Sequence, residues 1–187
     1  MANNVAKAFA TINISCSLYL FCAQYLSLNI QAAVTVFWVS FITYGVVYAW
    51  WMYRMVVSLK MFGKVYGIGR PTIGWAGLIV PIASINIPYK ILLQAWDKRQ
   101  YVIIDRGGEF KPNGGIAFWW YAFLISLLLC PIAFLTIQGE LAFKNIFHVG
   151  IAINISASAL GVWLVISFSK AEAEAIEYFN TKPSLKR

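Results

Sequence analysis

Acidic residues are scarce in this chain: Asp and Glu number 7 in 187 residues against 15 Lys and Arg, and charged residues of both signs make up only 12%. A soluble domain carries roughly 25%, so the composition argues against a soluble enzyme or a globular nucleic-acid binder. Histidine occurs once, at His148, which leaves a bis-histidine haem or a zinc site without ligands. Cys16, Cys22 and Cys130 form no CxxC pair and fall within apolar runs, where they read as small hydrophobes. No carboxylate lies inside a long apolar run, which removes the intramembrane Asp or Glu that a proton relay needs. Serines have no base beside them, and the glycines lack phosphate-loop spacing. No catalytic residue, metal site or cofactor is expected.

Apolar and aromatic residues are abundant instead, at 60% and 17%. A membrane crossing takes about 20 apolar residues, and four runs qualify: residues 8–28, 32–53, 116–137 and 148–169. The first carries Thr11, Asn13, Ser15, Ser17 and Gln24, which are expected to face neighbouring helices and bond across to them. It is too long for a signal-peptide core and no cleavage pattern follows, so it reads as a mature helix. The second run follows after Asn29, Ile30 and Gln31 alone, a link that allows only an antiparallel hairpin. Asn13-Ile14-Ser15 and Asn154-Ile155-Ser156 match the glycosylation pattern, but both lie inside helical runs, out of reach of a transferase. Ala157 and Gly161, four apart, permit close helix approach within the chain or to a second copy.

Residues 74–96 form a less regular segment. Pro81 and Pro88 bracket Ser84 and Asn86, and Lys90 follows at once. Two prolines seven apart remove two backbone donors and predict a bend. Irregular backbone at membrane depth needs protein or a water-filled cavity around it, so the segment is either a kinked crossing or a re-entrant or interfacial one. Charge distinguishes them. If it returns to its side of entry, 14 of the 15 Lys and Arg lie on one side and Lys144 alone on the other. A full crossing would leave 6 against 9, with no bias. The positive-inside rule therefore favours an all-α membrane protein with four transmembrane helices, a proline-bent third segment and both termini cytoplasmic. Trp50, Trp51, Trp75, Trp96, Trp119 and Trp120 would then sit at the inner interface as anchors, with Arg54 closing the second helix beside them.

Asp97, Lys98, Arg99, Asp105, Arg106, Glu109 and Lys111 read as a solvated mixed-charge connection, with Tyr101 to Ile104 as a short strand and turns at Gly107-Gly108 and Gly114-Gly115. Residues 170–187 begin with strong helix formers that should extend the last helix into the cytoplasm until Pro183, bringing three glutamates within reach of the basic connection.

Trp51-Met52-Tyr53-Arg54, Ser58-Leu59, Gly63, Gly74-Trp75, Pro81-Ile82-Ala83-Ser84-Ile85, Pro88-Tyr89, Trp96 and Trp119-Trp120 form a pattern that resembles the bacterial membrane proteins catalogued as domain of unknown function 4328. The likeness covers most of the chain from the second helix onward. It departs at Ser58 and Ser84, where the family pattern has asparagine. The resemblance implies a bacterial inner-membrane location and a four-helix plan, and supplies no activity.

The expected function is that of a non-enzymatic accessory or scaffold subunit. It would sit in the lipid bilayer and bind partner proteins, lipids or a second copy through small-residue helix faces. The alternative is a small channel or transporter whose polar path runs past Ser84 and Asn86.

Overall fold

In a computed structural model, residues 2–26, 30–59, 87–136 and 141–181 are described, and they are all-helical with no strand among them. The helices are α1 (Ala2–Tyr25), α2 (Ile30–Ser58), α3 (Ile87–Ile104), α4 (Gly115–Thr136) and α5 (Leu141–Thr181). Three are long and apolar enough to cross a membrane, over Asn3–Ala23, Gln31–Ser58 and His148–Thr181, and Gly115–Leu129 is a shorter apolar stretch. These are the helices of a membrane protein.

Two expectations for the region of α3 need correction. Tyr101–Ile104 are not a strand: α3 runs through them, and its end has a specific cause. Gly107 takes a positive φ of 83°, its N–H bonds to Ile104 O at 2.9 Å, and Gly108 N–H reaches back to Ile103 O at 2.9 Å. This is a Schellman motif, which glycine fits because it carries no Cβ. The predicted turn at Gly107-Gly108 is thus a helix cap. Asp97, Lys98 and Arg99 likewise belong to α3 and not to a loop, and Arg99 is completely buried. Pro88 lies in the first turn of α3, where its missing N–H would have had no intrahelical partner anyway. The bend expected around Pro81, Ser84 and Asn86 lies outside the described residues, as does Trp75. α5 does continue past residue 169, to Thr181. At 41 residues it is about 60 Å long, twice a hydrocarbon core of about 30 Å.

The described chain divides into two compact units. One contains residues 3–47 and 117–163, from α1, α4 and the earlier parts of α2 and α5. Asn13 of α1 bonds to Ser40 on α2 and to Asn154 and Ser158 on α5. Leu20 and Ala23, later in α1, join a cluster with Ala33 and Val34, earlier in α2, and Ile151, earlier in α5. Ascending α1 therefore descends both α2 and α5. α1 is antiparallel to each, so α2 and α5 are parallel to one another. Phe41 of α2 stacks on Phe123 of α4 at 6.4 Å, and Trp119 and Trp120 pack on the same ring at 5.7 and 5.8 Å.

Hydroxyl groups in this unit divide by location. Thr11 and Ser15, expected to bond across to other helices, are instead exposed and, like Thr35 and Ser156, donate to the carbonyl four residues back at 2.9 to 3.1 Å, so they are satisfied inside their own helix. Buried Ser126 is likewise satisfied inside its helix, by Phe123 O at 2.8 Å, whereas the buried polar groups around Asn13 bond between helices. Asn13 Nδ2 donates to Asn154 Oδ1 at 2.8 Å and Ser158 Oγ at 2.9 Å, and Asn13 Oδ1 accepts from Ser40 Oγ at 3.1 Å. Ser17 Oγ lies 2.7 Å from Asn13 O and 3.0 Å from Asn154 Oδ1, two acceptors for its one proton. Exposed serine and threonine hydroxyls satisfied within their own helix, beside an inner amide network, suit a bundle surrounded by lipid.

The second unit contains residues 48–116 and 164 onward: the end of α2, all of α3, the connection to α4 and the later part of α5.

Candidate functional site

The buried positions of α3 in the second unit are Leu92, Ala95, Trp96, Arg99, Gln100, Val102 and Ile103. Their spacing of three and four is that of one helix face, so Arg99 falls on the inward stripe as regularly as its apolar neighbours. A guanidinium in that position must find acceptors, since an unpaired buried charge is costly.

The acceptors come from helix ends. The last four carbonyls of a helix have no intrahelical donor, and Met55 O is one of them in α2. Arg99 Nη2 donates to Met55 O at 2.9 Å and to Ser58 Oγ at 2.9 Å, and Nη1 donates to Ala95 O at 2.9 Å. Ser58 Oγ in turn donates to Met55 O at 2.9 Å. From α5, Glu172 Oε1 stands 3.8 Å from Nη2, and the Phe168 ring lies 5.7 Å from the guanidinium carbon. Phe168 also meets the edges of Trp51 and Trp96, at 5.8 and 5.2 Å. Burial lowers the Arg99 pKa to about 10, against the opposing pull of the Glu172 carboxylate, so the side chain stays charged at neutral pH. Its charge complements the negative end of the α2 dipole.

Arg106, seven residues on, repeats the arrangement at α5. Its Nη1 donates to Phe179 O at 2.7 Å and to Tyr178 O at 3.4 Å, and its guanidinium carbon lies 4.4 Å over the Phe179 ring. Two arginines two turns apart therefore cap two different helices, and α3 with its cap acts as a bracket across the ends of α2 and α5.

Lys111 secures the connection that follows. Its N–H donates to Gln100 Oε1 at 2.9 Å, its carbonyl accepts from Trp96 Nε1 at 2.8 Å, and its Nζ meets both oxygens of Glu174 at 2.7 and 3.0 Å. The hydrogen bond to Glu174 is the main reason its pKa is raised. Asn113 Oδ1 then accepts from Gly115 N–H at 3.1 Å, an Asx turn that leads into α4. The expectation that tail glutamates meet the basic connection is met by Glu172 with Arg99 and Glu174 with Lys111.

Of the residues singled out in the sequence, Trp51 and Trp96 are brought together here, both buried. Trp50 is half-buried on α2, and Arg54 and Lys90 are exposed. Trp119 and Trp120 are buried in the other unit. Arg99, Arg106, Gln100 and Lys111 were not singled out. The signal for Arg99 was present: carrying the helical period of Leu92, Ala95 and Trp96 beyond residue 96 lands on it. Among the described residues no three His, Cys, Asp or Glu stand close enough to hold a metal ion.

A family model described as domain of unknown function (DUF4328) matches residues 23–172. No curated protein and no solved structure matches the chain.

Proposed function

The chain belongs to the family of that domain of unknown function, and from this premise we propose that it is a non-enzymatic integral protein of the bacterial inner membrane, an accessory or scaffold subunit that binds partner proteins or lipids. Four helices cross: α1, α2, α4 and α5. Both termini are cytoplasmic, and the bent segment before α3 re-enters from the cytoplasmic face.

One observation carries the topology. The unit that holds the later ends of α2 and α5 also holds the whole of α3 and the first residues of α4. That grouping supports a chain that leaves α2 and enters α4 at the same end, as a segment that does not cross would. The parallel run of α2 and α5 supports the same reading, because only four residues separate α4 from α5 and so short a link joins antiparallel helices. The strong bias of Lys and Arg then assigns that end to the cytoplasm.

A structural role is favoured over transport by the way the intramembrane polar groups are used. Asn13 spends both its amide donors and its carbonyl oxygen on neighbouring helices. Such a closed network joins helices, whereas a conduction path needs polar groups open to water.

The test is extraction of the tagged full-length chain from native membranes in mild detergent. A stoichiometric protein partner supports the subunit reading. Purified protein that stands alone and produces solute flux in sealed vesicles contradicts it in favour of a channel.

A further inference from the structure

Contacts inside the second unit define a common level on three helices. Trp51 and Met55 of α2, Trp96 and Arg99 of α3, and Phe168 and Glu172 of α5 meet one another there. Three cations belong to that level on the outer surface: Arg54 precedes Met55, Lys98 precedes Arg99, and Lys170 lies between Phe168 and Glu172. Each is within two residues of a contact, hence within one helical turn of about 5.4 Å. Arg54 and Lys170 are exposed and Lys98 is partly so. Among the described residues none of the three has an ion pair or side-chain hydrogen bond. Of the nearby carboxylates, Glu172 faces Arg99 and Glu174 faces Lys111, which leaves Asp97 beside Lys98.

The exposed faces of α2 and α5 change character at this level. On α2 they present Val39, Ile42 and Val46, each about 60% exposed, and then Tyr53 and Arg54. On α5 Val149, Trp163 and Ile166 give way to Lys170, Glu177 and Asn180. Each helix thus passes from apolar to polar, with a cation, Arg54 or Lys170, at the boundary. A boundary of that kind marks the depth at which hydrocarbon meets headgroups, and Lys and Arg reach phosphates there by snorkelling.

We infer that Arg54, Lys98 and Lys170 form a belt that holds the phosphate headgroups of anionic phospholipids around the level of Arg99. The cations belong to three different helices and apolar surface adjoins them on α2 and α5, which fits a layer around the bundle better than a single soluble anion. This rests on the membrane-spanning reading above and deepens it by naming the lipid class.

The test uses the full chain in detergent with native mass spectrometry, probing with phosphatidylglycerol and phosphatidylcholine. Wild type should retain phosphatidylglycerol in preference. A triple variant, Arg54→Gln, Lys98→Gln and Lys170→Gln, should lose that preference by roughly tenfold or more, since each cation near an anionic surface is worth about a fivefold effect. The charge-conserving triple Arg54→Lys, Lys98→Arg and Lys170→Arg should keep it. Should the neutral triple fail to fold, Lys170→Gln alone should still lower the preference measurably. Equal retention by wild type and the neutral variants overturns the inference, as does full displacement of lipid by inorganic phosphate, which would identify a soluble anion as the ligand. Carbonate washing separates the two levels of the account: a chain that resists it yet shows no lipid preference refutes the belt alone, whereas a chain washed from membranes refutes the spanning reading itself.

Discussion

Arg99 on α3 donates to the carbonyl of Met55 on α2 across 2.9 Å, although 44 residues separate them in the chain. A helix end is thereby closed by a side chain from another helix, and the charge of that side chain is held in place by α5. A hydrogen bond to a charged group contributes about 1.5 to 3 kcal/mol, so the bonds of Arg99 weigh heavily in the stability of its unit.

Replacing Arg99 with Ala should lower the unfolding temperature in detergent and the folded yield far more than Arg54→Ala, whose side chain is exposed. Arg99→Lys should recover little of the loss, because one ammonium cannot reproduce the guanidinium fork that serves Met55, Ser58 and Ala95 together. Ser58→Asn, the residue of the family pattern, should be tolerated, since its amide oxygen offers Arg99 the same kind of acceptor. Wild-type stability of Arg99→Ala would contradict the capping role.

The amide network gives a comparison within one helix. Asn13→Ala removes three bonds between helices and should destabilise by about 2 kcal/mol at an average near 0.6 kcal/mol per interhelical bond. Thr11→Ala, two residues away, removes a bond only to its own helix and should be close to neutral. Thermal unfolding followed by tryptophan fluorescence distinguishes them, and equal losses would show that Asn13 does not join the helices.

Glycine at the end of α3 is required for two separate reasons. Gly107→Ala forces a Cβ into a positive φ and should cost about 1 kcal/mol, with Gly107→Asn milder. At Gly108 an added Cβ would collide with Ile103 Cγ2 and press on Tyr178 Cε1 at 3.0 Å, so Gly108→Ala should be the more damaging. The reverse order of unfolding temperatures would contradict the close packing at Gly108, and a neutral Gly107→Ala would contradict the cap.

Asp97 supplies a pH dependence of defined sign. Partial burial raises its pKa, so the fold disfavours its charged form. Stability attached to this group is present below the ordinary carboxylate range and is lost as pH rises through the raised value. Asp97→Asn should therefore raise the unfolding temperature at neutral pH, and the gain should vanish on acidification. A gain that persists in acid would assign the effect to something other than charge.

The helices themselves were legible because apolar runs of membrane length admit no other structure, and the tail beyond Lys170 followed from its helix formers. Arg99 was hidden by a rule that serves well on average: a cluster of charges reads as solvent-exposed. It fails here because the ends of α2 and α5 offer free carbonyls, and those belong to distant parts of the chain. The strand expected at Tyr101–Ile104 reflects β-branched residues whose local preference was overridden by the buried stripe of α3. Ser17 and Asn13 were readable as residues facing other helices, but their partners Ser40, Asn154 and Ser158 were not, since no local pattern couples positions so far apart.

Side-specific labelling tests the central claim, that α3 and its flanking connections stay on one side of the membrane, most directly. Single cysteines at Lys90, Asn113 and Thr181, in a chain lacking Cys16, Cys22 and Cys130, should all react only from the cytoplasmic side, and a cysteine at Leu26, between α1 and α2, only from the opposite side. Labelling of Lys90→Cys or Asn113→Cys from the side of Leu26→Cys would contradict the account and require a fifth crossing.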